Sequence, residues 1–263
     1  MRIELIGCTS AGKSTLTSRI LRICRDQGID ASTGYDFVLR QVRLDWIKST
    51  LFRALLVNFI SLFVGLVTCR KNLDFYRFAL RIIARLPSAV AWSEKLHIGR
   101  NVVKNIGVDE IIRRRAADRQ IVLLDEGPLQ TVHYLFVHVA VEPDTRDLAA
   151  FIRLVPLPDV VVYVTQNESV LIERTMQRGH KRIPDRSYAH VQRFISRAVA
   201  TFDELEQQSA LEGRLIVVDR QPSIIVGQGY PVDPLFDAAL RIVRAGIDAV
   251  AADNTVRVMS AVR

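Results

Sequence analysis

The stretch GCTSAGKST, residues 7–15, carries the strongest information in the chain about fold and chemistry. It meets the spacing G-x-x-x-x-G-K-[ST] in full, with an apolar run before it and an amphipathic stretch after it. Glycines let a backbone turn where a Cβ would clash, so successive amides point into one concavity at the N-terminus of the next helix. Lys13 would reach the β- and γ-phosphates of a nucleotide there, and the Ser14 hydroxyl would ligate Mg²⁺. The predicted nucleotide-binding residues of this loop are Gly7, Thr9, Ser10, Ala11, Gly12, Lys13, Ser14 and Thr15.

The rest of the chain supplies further strands around this loop. Residues 2–6 are predicted as the first strand and 13–27 as the first helix, and a weaker pattern predicts a second strand at 35–39. Continuous apolar runs at residues 120–125, 159–164 and 214–219 alternate with helical stretches, which is typical of buried parallel strands. The pattern predicts an α/β fold with a doubly wound, mostly parallel sheet. Ligands of such sheets lie beyond the carboxyl ends of the strands.

A long helical insertion separates the first strands from the later ones. Residues 45–119 are predicted to be helical throughout, and six of them form one apolar face beside a basic stripe of Arg77, Arg81 and Arg85. Two interpretations remain open: the insertion covers the core, which we favour, or it recognises a large acceptor at a membrane surface. The six apolar residues are Phe75, Phe78, Ala79, Ile82, Ile83 and Leu86.

One segment of this insertion, LFRALLVNFISLFVGLVTC at residues 51–69, is nearly long enough to span a bilayer. If the segments on both sides join one sheet, a single membrane pass is excluded. A buried helix, or one lying at a membrane surface, remains open. We expect one domain over residues 1–250, with the insertion at 41–119, a closing helix at 236–250 and a C-terminal tail at 251–263.

An acidic pair follows the strand at residues 120–125. Asp125 ends the strand and would hold Mg²⁺ opposite Ser14. Side chains alternate along a strand, so Glu126 would point elsewhere and could orient an acceptor hydroxyl. Phosphoryl transfer depends mainly on positioning and charge stabilisation, for which a metal-binding acid and a second carboxylate are suited.

A basic cluster follows the strand at 159–164 in the sequence ERTMQRGHKR, residues 173–182. Arg174 and Arg178 are four residues apart and share a helix face, and Gly179 would end that helix. Such a cluster can close over a triphosphate, neutralise charge on the transferring group and exclude water.

With these three motifs, GCTSAGKST, LLDEG and ERTMQRGHKR, the chain resembles the thymidylate kinase and deoxynucleoside kinase group of P-loop kinases. The resemblance implies the three-layer P-loop NTPase fold, with Arg174 and Arg178 in a lid and Arg182 near the transferred group. It also implies an acceptor contact from an acid near the second strand, for which Asp36 is the candidate. Adenine would pack near the loop that contains Arg220, Gln221 and Pro222. Family members usually carry Arg after the acid, whereas this chain has Gly127.

The sequence therefore predicts an ATP- and Mg²⁺-dependent small-molecule kinase, in which Glu126 or Asp36 orients the acceptor. Three alternatives stay open: a regulatory NTPase without a small acceptor, a nucleic-acid 5′-end kinase, and a kinase for a sugar or lipid-linked acceptor. The net charge of +8 suits anionic partners, although the basic residues form no evident nucleic-acid groove. A homodimer and peripheral membrane contact are also left open.

The expected compartment is the cytoplasm. Three cysteines are an odd number without metal-ligand spacing, which indicates reduced thiols. The first predicted strand begins directly after Met1, so no signal peptide is expected.

Overall fold

Five parallel strands form one sheet in the order β2-β3-β1-β4-β5 in the computed structural model. The structure describes residues 1–117, 120–183, 185, 187–220 and 237–244. Parallel strands require crossover connections, and helices provide them here. The predicted doubly wound parallel sheet is confirmed. The strands are β1 (Arg2–Ile6), β2 (Ala31–Thr33), β3 (Ile121–Leu124), β4 (Val160–Thr165) and β5 (Leu215–Asp219).

The helices lie on both faces of this sheet. Those between β1 and β3 are α1 (Lys13–Asp26), α2 (Gly34–Gln41), α3 (Thr50–Val67), α4 (Leu73–Arg85) and α5 (Trp92–Arg115). Those after β3 are α6 (Thr131–Phe136), α7 (Thr145–Leu154), α8 (Glu168–Arg178) and α9 (Tyr188–Glu206). Residues 237–244 are helical and fall within the predicted closing helix at 236–250. The remainder of that helix, Gln221, Pro222 and the predicted tail at 251–263 lie outside the described residues.

The predicted second strand at 35–39 is wrong, because these residues belong to α2. The Thr33 hydroxyl accepts a hydrogen bond from the Asp36 amide at 3.1 Å and so caps the helix. The second strand is the preceding three residues, Ala31–Thr33, which pair with β3. Three residues are too few for a hydrophobic period to be visible.

The insertion is also less continuous than predicted. Residues 45–49 are not helical, Cys69–Asn72 form a short 3-10 helix between α3 and α4, and residues 86–91, which include Pro87, separate α4 from α5. The predicted apolar face of α4 is buried in the main core, together with Leu86. A second, smaller core lies between α2, α3, α5 and the other face of β3, where Val122 and Leu124 point.

Helix α3 is long and apolar enough to cross a membrane, the one such helix among the residues that the structure describes. It packs along α5, while most of its own side chains are not buried. Strands β1 and β2 precede it and β3 follows it in the same sheet. A single membrane pass is therefore incompatible with this fold.

Candidate active site

The phosphate loop follows β1 at the carboxyl edge of the sheet, next to β4. Gly7 has a φ of +138°, and a Cβ there would lie 2.5 Å from the Val164 carbonyl oxygen. Gly12 has a φ of +94° and precedes α1 without a side-chain cap. The first turn of α1 contains no acid, so its amides and the helix dipole are left to attract an anion. The backbone of GCTSAGKST thus has the geometry that an anion-binding loop requires.

Lys13 folds over this loop. Its Nζ donates to the carbonyl oxygens of Gly7 at 2.8 Å and Cys8 at 3.0 Å. Burial lowers the pKa of Lys13, while the nearby Asp125 carboxylate opposes that shift. A bound phosphate would offer the ammonium group a stronger, charged acceptor than the two carbonyls.

The loop is anchored from behind by Gln130. The Gly7 amide donates to Gln130 Oε1, and Gln130 Nε2 donates back to the Gly7 carbonyl, both at 3.1 Å. The Gln130 amide in turn donates to Glu4 Oε1 at 2.7 Å. Glu4 is fully buried in β1, and this burial raises its pKa to about 8. Sequence reasoning assigned no role to Glu4, although a lone acid inside an apolar strand is unusual.

The predicted metal ligands meet at the mouth of the loop. Ser14 Oγ donates to Asp125 Oδ2 at 2.9 Å. The other carboxylate oxygen, Asp125 Oδ1, is buried and has no hydrogen-bond partner in the described part of the chain. Mg²⁺ commonly takes one or two carboxylates, a few waters and substrate phosphates, so this pair of oxygen ligands fits it. The described residues contain no group of three His, Cys, Asp or Glu side chains suited to a metal.

Glu126 lies on the same cavity but is held by a residue from the insertion. Lys104 of α5 places Nζ 3.1 Å from Glu126 Oε2 and 3.1 Å from the Tyr35 hydroxyl oxygen. Burial would raise the pKa of Glu126, but attraction to Lys104 and a hydrogen bond from Tyr134 lower it. Glu126 is therefore ionised at neutral pH and can accept a hydrogen bond from an acceptor hydroxyl.

The three predicted lid arginines all line the cavity. Arg174 Nη1 lies 3.4 Å from the Ser10 carbonyl oxygen, and Arg178 is exposed at the end of α8. Arg182 is instead engaged at the end of α6, where it donates to the carbonyls of His133 and Val137. Its Nε lies 3.2 Å from Glu94 Oε1 of α5. Arg174 thus contacts the phosphate loop, Arg178 lines the cavity, and Arg182 is bound to the end of α6 and to α5.

Of two further predicted site residues, one lines the cavity and the other does not. Arg220 lines the cavity, and its Nη1 donates to the Ala11 carbonyl at 3.0 Å, directly over Gly12. Asp36 does not line this cavity: it accepts from Thr33 Oγ1 at 2.7 Å and pairs with Arg53 of α3. The structure brings Glu126 to the phosphate loop and places Asp36 apart from it.

A continuous cavity of about 1610 Å³ joins these groups. Its lining includes the phosphate loop and Asp125, and also Glu94, His97 and Tyr134. Burial and the cations Arg100, Arg182, Lys181 and Lys104 lower the pKa of His97. Sequence reasoning missed Lys104 and Glu94. A signal existed for Lys104, because polar residues recur on the buried face of α5 at helical spacing: Asn101, Lys104, Asn105 and Asp109.

No family model and no curated protein matches the chain. Among solved structures, it is similar to deoxyadenosine kinase from M. mycoides with bound dATP, at 13% identity and a TM-score of 0.46 over 93% of this chain and 100% of that chain. It is also similar to thymidylate kinase from Ehrlichia chaffeensis, at 12% identity and a TM-score of 0.43 over 93% and 97% of the two chains. Both are kinases of the group that the sequence motifs resemble.

The fold itself follows from the chain's own geometry. The five described strands are all parallel, β1 is central with β3 and β4 on its two sides, and helices cover both faces. The phosphate loop leaves the carboxyl end of β1, and the acid that meets Ser14 leaves the carboxyl end of β3. The chain therefore has the α/β P-loop NTPase fold that its sequence predicted.

Proposed function

We propose that this protein is an ATP- and Mg²⁺-dependent small-molecule kinase. The observation that carries the proposal is the joining of the phosphate loop, a second carboxylate and the lid arginines in one cavity. Pockets for one small ligand usually measure about 300–1,000 Å³. At about 1610 Å³, this cavity has room for a donor nucleotide and an acceptor together.

The donor end is the phosphate loop. The amides of residues 9–15 and the Lys13 ammonium bind the β- and γ-phosphates, and Arg220 lies where it can contact the base or sugar. Ser14 and Asp125 hold Mg²⁺, which neutralises phosphate charge when bound. Arg174 and Arg178 neutralise charge that spreads over the equatorial oxygens during transfer.

The acceptor end lies beside Glu126. Its ionised carboxylate accepts a hydrogen bond from the acceptor hydroxyl and aligns that oxygen with the γ-phosphorus, and Lys104 keeps the carboxylate in place. The hydroxyl proton passes to Glu126 as the new P–O bond forms and the bond to the β-phosphate oxygen breaks. Closure of the segment after Gly179 excludes water, which favours transfer over hydrolysis.

The test is nucleotide consumption by the purified protein in Mg²⁺, alone and with separate pools of nucleosides, nucleoside monophosphates, sugars and DNA 5′-hydroxyl ends. We expect turnover that depends on one small-molecule pool. Lys13→Ala should abolish it, whereas Lys48→Ala, an exposed lysine that does not line the cavity, should not.

If the wild type instead consumes nucleotide at the same rate with and without every pool, and Lys13→Ala abolishes this consumption, that result would contradict the kinase and favour a regulatory NTPase. Turnover confined to DNA ends would favour the end kinase. Product analysis by phosphorus NMR identifies the phosphorylated acceptor directly.

A further inference from the structure

Helix α3 presents an apolar face to solvent that the proposed chemistry does not use. Seven large apolar side chains on this helix are each between 58% and 73% exposed. They recur at spacings of one, three and four residues, so they share one side of the helix. We call this set the α3 stripe; it consists of Leu51, Phe52, Leu55, Phe59, Phe63, Leu66 and Val67.

The α3 stripe is larger than the apolar patches that ordinary surfaces leave in water. A large apolar side chain offers roughly 150–200 Å² when fully exposed, so seven of them at about two-thirds exposure present roughly 800 Å². The largest apolar patch on a typical monomer is about 300–600 Å². A patch above that size marks a contact with another protein or with a membrane.

The segment before α3 combines an exposed aromatic side chain with a net positive charge. Trp46 is 71% exposed, and Arg43 and Lys48 on either side of it are exposed as well. Asp45 is the one acid in residues 42–49, all of which the structure describes. Trp is enriched where a membrane meets water, because its ring is apolar and its N–H is polar.

The segment after α3 is more basic. Its charged residues, within the fully described range 68–77, are Arg70, Lys71, Asp74 and Arg77. Arg77 lies 3.8 Å from Asp74, and Lys71 Nζ lies 3.2 Å from Glu110 of α5. Glu110 is buried and is also paired with Arg113 and Arg114, so this cluster is net positive where it meets solvent.

These charges select the occupant of the α3 stripe. A second copy packed along the stripe would bring one net positive end against another, whichever way the two helices run. An anionic lipid surface attracts both ends at once. Within α3, which is described throughout, the single charged residue is Arg53, and it is turned toward Asp36 and the carbonyls of Asp45 and Ile47.

The other side of α3 is fixed to the protein. A Cβ on Gly107 of α5 would lie 1.8 Å from the Ser61 carbonyl oxygen, and a Cβ on Gly65 would lie 2.4 Å from the Val103 carbonyl oxygen. The backbones of α3 and α5 therefore approach closely. Because α3 is held in this way, it can lie along a membrane surface without leaving the fold.

We propose that the α3 stripe and its two basic ends form a docking surface for an anionic phospholipid bilayer. Helix α3 lies parallel to the membrane, and the stripe enters the boundary between headgroups and acyl chains. Trp46 lies at the level of the headgroups, and the cations at both ends of α3 bind lipid phosphates and carboxylates. This inference is independent of the proposed kinase activity.

The first experiment is flotation of the full chain with vesicles of phosphatidylcholine, with or without about one-third phosphatidylserine. We expect the protein to partition at least about tenfold more strongly into the vesicles that contain phosphatidylserine, because each cation near an anionic surface adds to binding. Added salt should weaken this partitioning by screening. Lys48→Gln combined with Arg70→Gln, one cation from each end, should reduce the preference for phosphatidylserine about tenfold.

Phe59→Gln combined with Phe63→Gln tests the α3 stripe without adding negative charge. Both side chains are exposed, so the circular dichroism spectrum should be unchanged while flotation is lost. Leu80→Gln combined with Tyr188→Gln is the matched control. These side chains are 64% and 60% exposed on α4 and α9, outside the stripe, and the control should float like the wild type.

Trp46 provides a second readout that does not depend on flotation. The chain has two tryptophans, so Trp92→Phe leaves Trp46 as the single indole. With vesicles that contain phosphatidylserine, the emission of Trp46 should shift to the blue and should be quenched by brominated lipid. If Trp46 is as accessible to aqueous iodide with these vesicles as without them, the proposal is wrong.

Light scattering without vesicles separates the alternative of a second copy. A wild-type dimer that the two glutamine substitutions dissociate, together with no flotation, would assign the stripe to a protein contact and overturn the proposal. Equal flotation with and without phosphatidylserine would contradict an anionic docking surface. Flotation that survives Phe59→Gln combined with Phe63→Gln would place the membrane contact elsewhere and would also overturn it.

Discussion

Lys104 Nζ lies 3.1 Å from Glu126 Oε2, and the two partners differ greatly in exposure. The Lys104 side chain is 5% exposed, whereas that of Glu126 is 46% exposed. Burial lowers the pKa of Lys104, but attraction to Glu126 and the hydrogen bond to Tyr35 raise it above its ordinary value. The glutamate therefore offsets much of the cost of burying the Lys104 ammonium, whereas the glutamate itself can be solvated without the lysine.

This difference in exposure predicts that removing Glu126 lowers the stability more than removing Lys104. Glu126→Gln leaves a buried ammonium without its counter-ion and should lower the free energy of unfolding by about 2 kcal/mol. Lys104→Met leaves a carboxylate that water can reach, so its cost should be about 1 kcal/mol or less. Urea denaturation measures both. The double variant should be more stable than Glu126→Gln alone, and strict additivity would contradict the coupling.

The Ser14–Asp125 pair predicts metal-dependent nucleotide binding. Asp125→Asn removes a carboxylate ligand, so the Kd for the nucleotide in Mg²⁺ should rise about tenfold or more, while the Kd in EDTA changes little. Titration calorimetry in both buffers measures this.

Asp36→Asn is the matched control for that substitution, because Asp36 does not line the cavity. It should leave both dissociation constants unchanged. An equal rise in Kd for Asp125→Asn with and without Mg²⁺ would argue against a metal site. A change in the KM for the acceptor in Asp36→Asn would restore the acceptor contact that the family resemblance implied.

The buried carboxyl group of Glu4 should make the stability of the protein depend on pH. Burial raises its pKa to about 8 against an ordinary value of 4.5, although backbone amides of Gln130 and Leu129 oppose the shift. Between these pH values, the native state keeps a proton that the unfolded chain has lost. The free energy of unfolding should therefore decrease as pH rises from about 4.5 to about 8, and this contribution should be constant above that.

Glu4→Gln removes the titration, so the variant should be more stable than wild type at pH 8, by on the order of 2 kcal/mol. The free energies of unfolding of the variant and of the wild type should become equal near pH 5. Thermal or urea unfolding over this range gives the difference curve. The exposed Glu212→Gln is the control and should give a flat difference. A flat curve for Glu4→Gln would mean that Glu4 titrates normally.

Much of the fold could be predicted because its signals are local. The loop spacing, four of the five strands and the buried face of α4 all follow from motif or hydrophobic period. β2 could not be predicted, since three residues carry no period and the Thr33 cap starts a helix directly after them. The Ser14–Asp125 contact was predictable because β1 and β3 are neighbouring parallel strands. The loop after β1 leads to Ser14, and Asp125 directly follows β3, so both lie at the same edge of the sheet.

The acceptor side could not be predicted in the same way. Lys104 and Glu126 are 22 residues apart, and their contact depends on how α5 packs across the sheet. Arg182 belongs to the predicted lid motif, yet its partners come from α5 and α6. Such contacts depend on tertiary packing that no local pattern encodes.

At Gly127, a difference in sequence from the resembling kinases coincides with a tertiary contact to Glu4. The resembling kinases usually carry Arg at this position, but a Cβ on Gly127 would lie 2.4 Å from Glu4 Cδ. Glu4 is buried in β1, so it cannot move away easily. Gly127→Ala should therefore lower the free energy of unfolding by about 2 kcal/mol through steric overlap.

If steric overlap with Glu4 causes the loss of stability in Gly127→Ala, that loss should disappear when the Glu4 side chain is shortened. Glu4→Ala alone removes the acceptor of the Gln130 amide and should also destabilise the chain. In the Glu4→Ala background, however, Gly127→Ala should cost little or fill part of the space left by the carboxylate. A double-mutant cycle in urea should then give a favourable coupling of about 1–2 kcal/mol. Zero coupling would show that the cost of a Cβ at Gly127 does not come from overlap with Glu4.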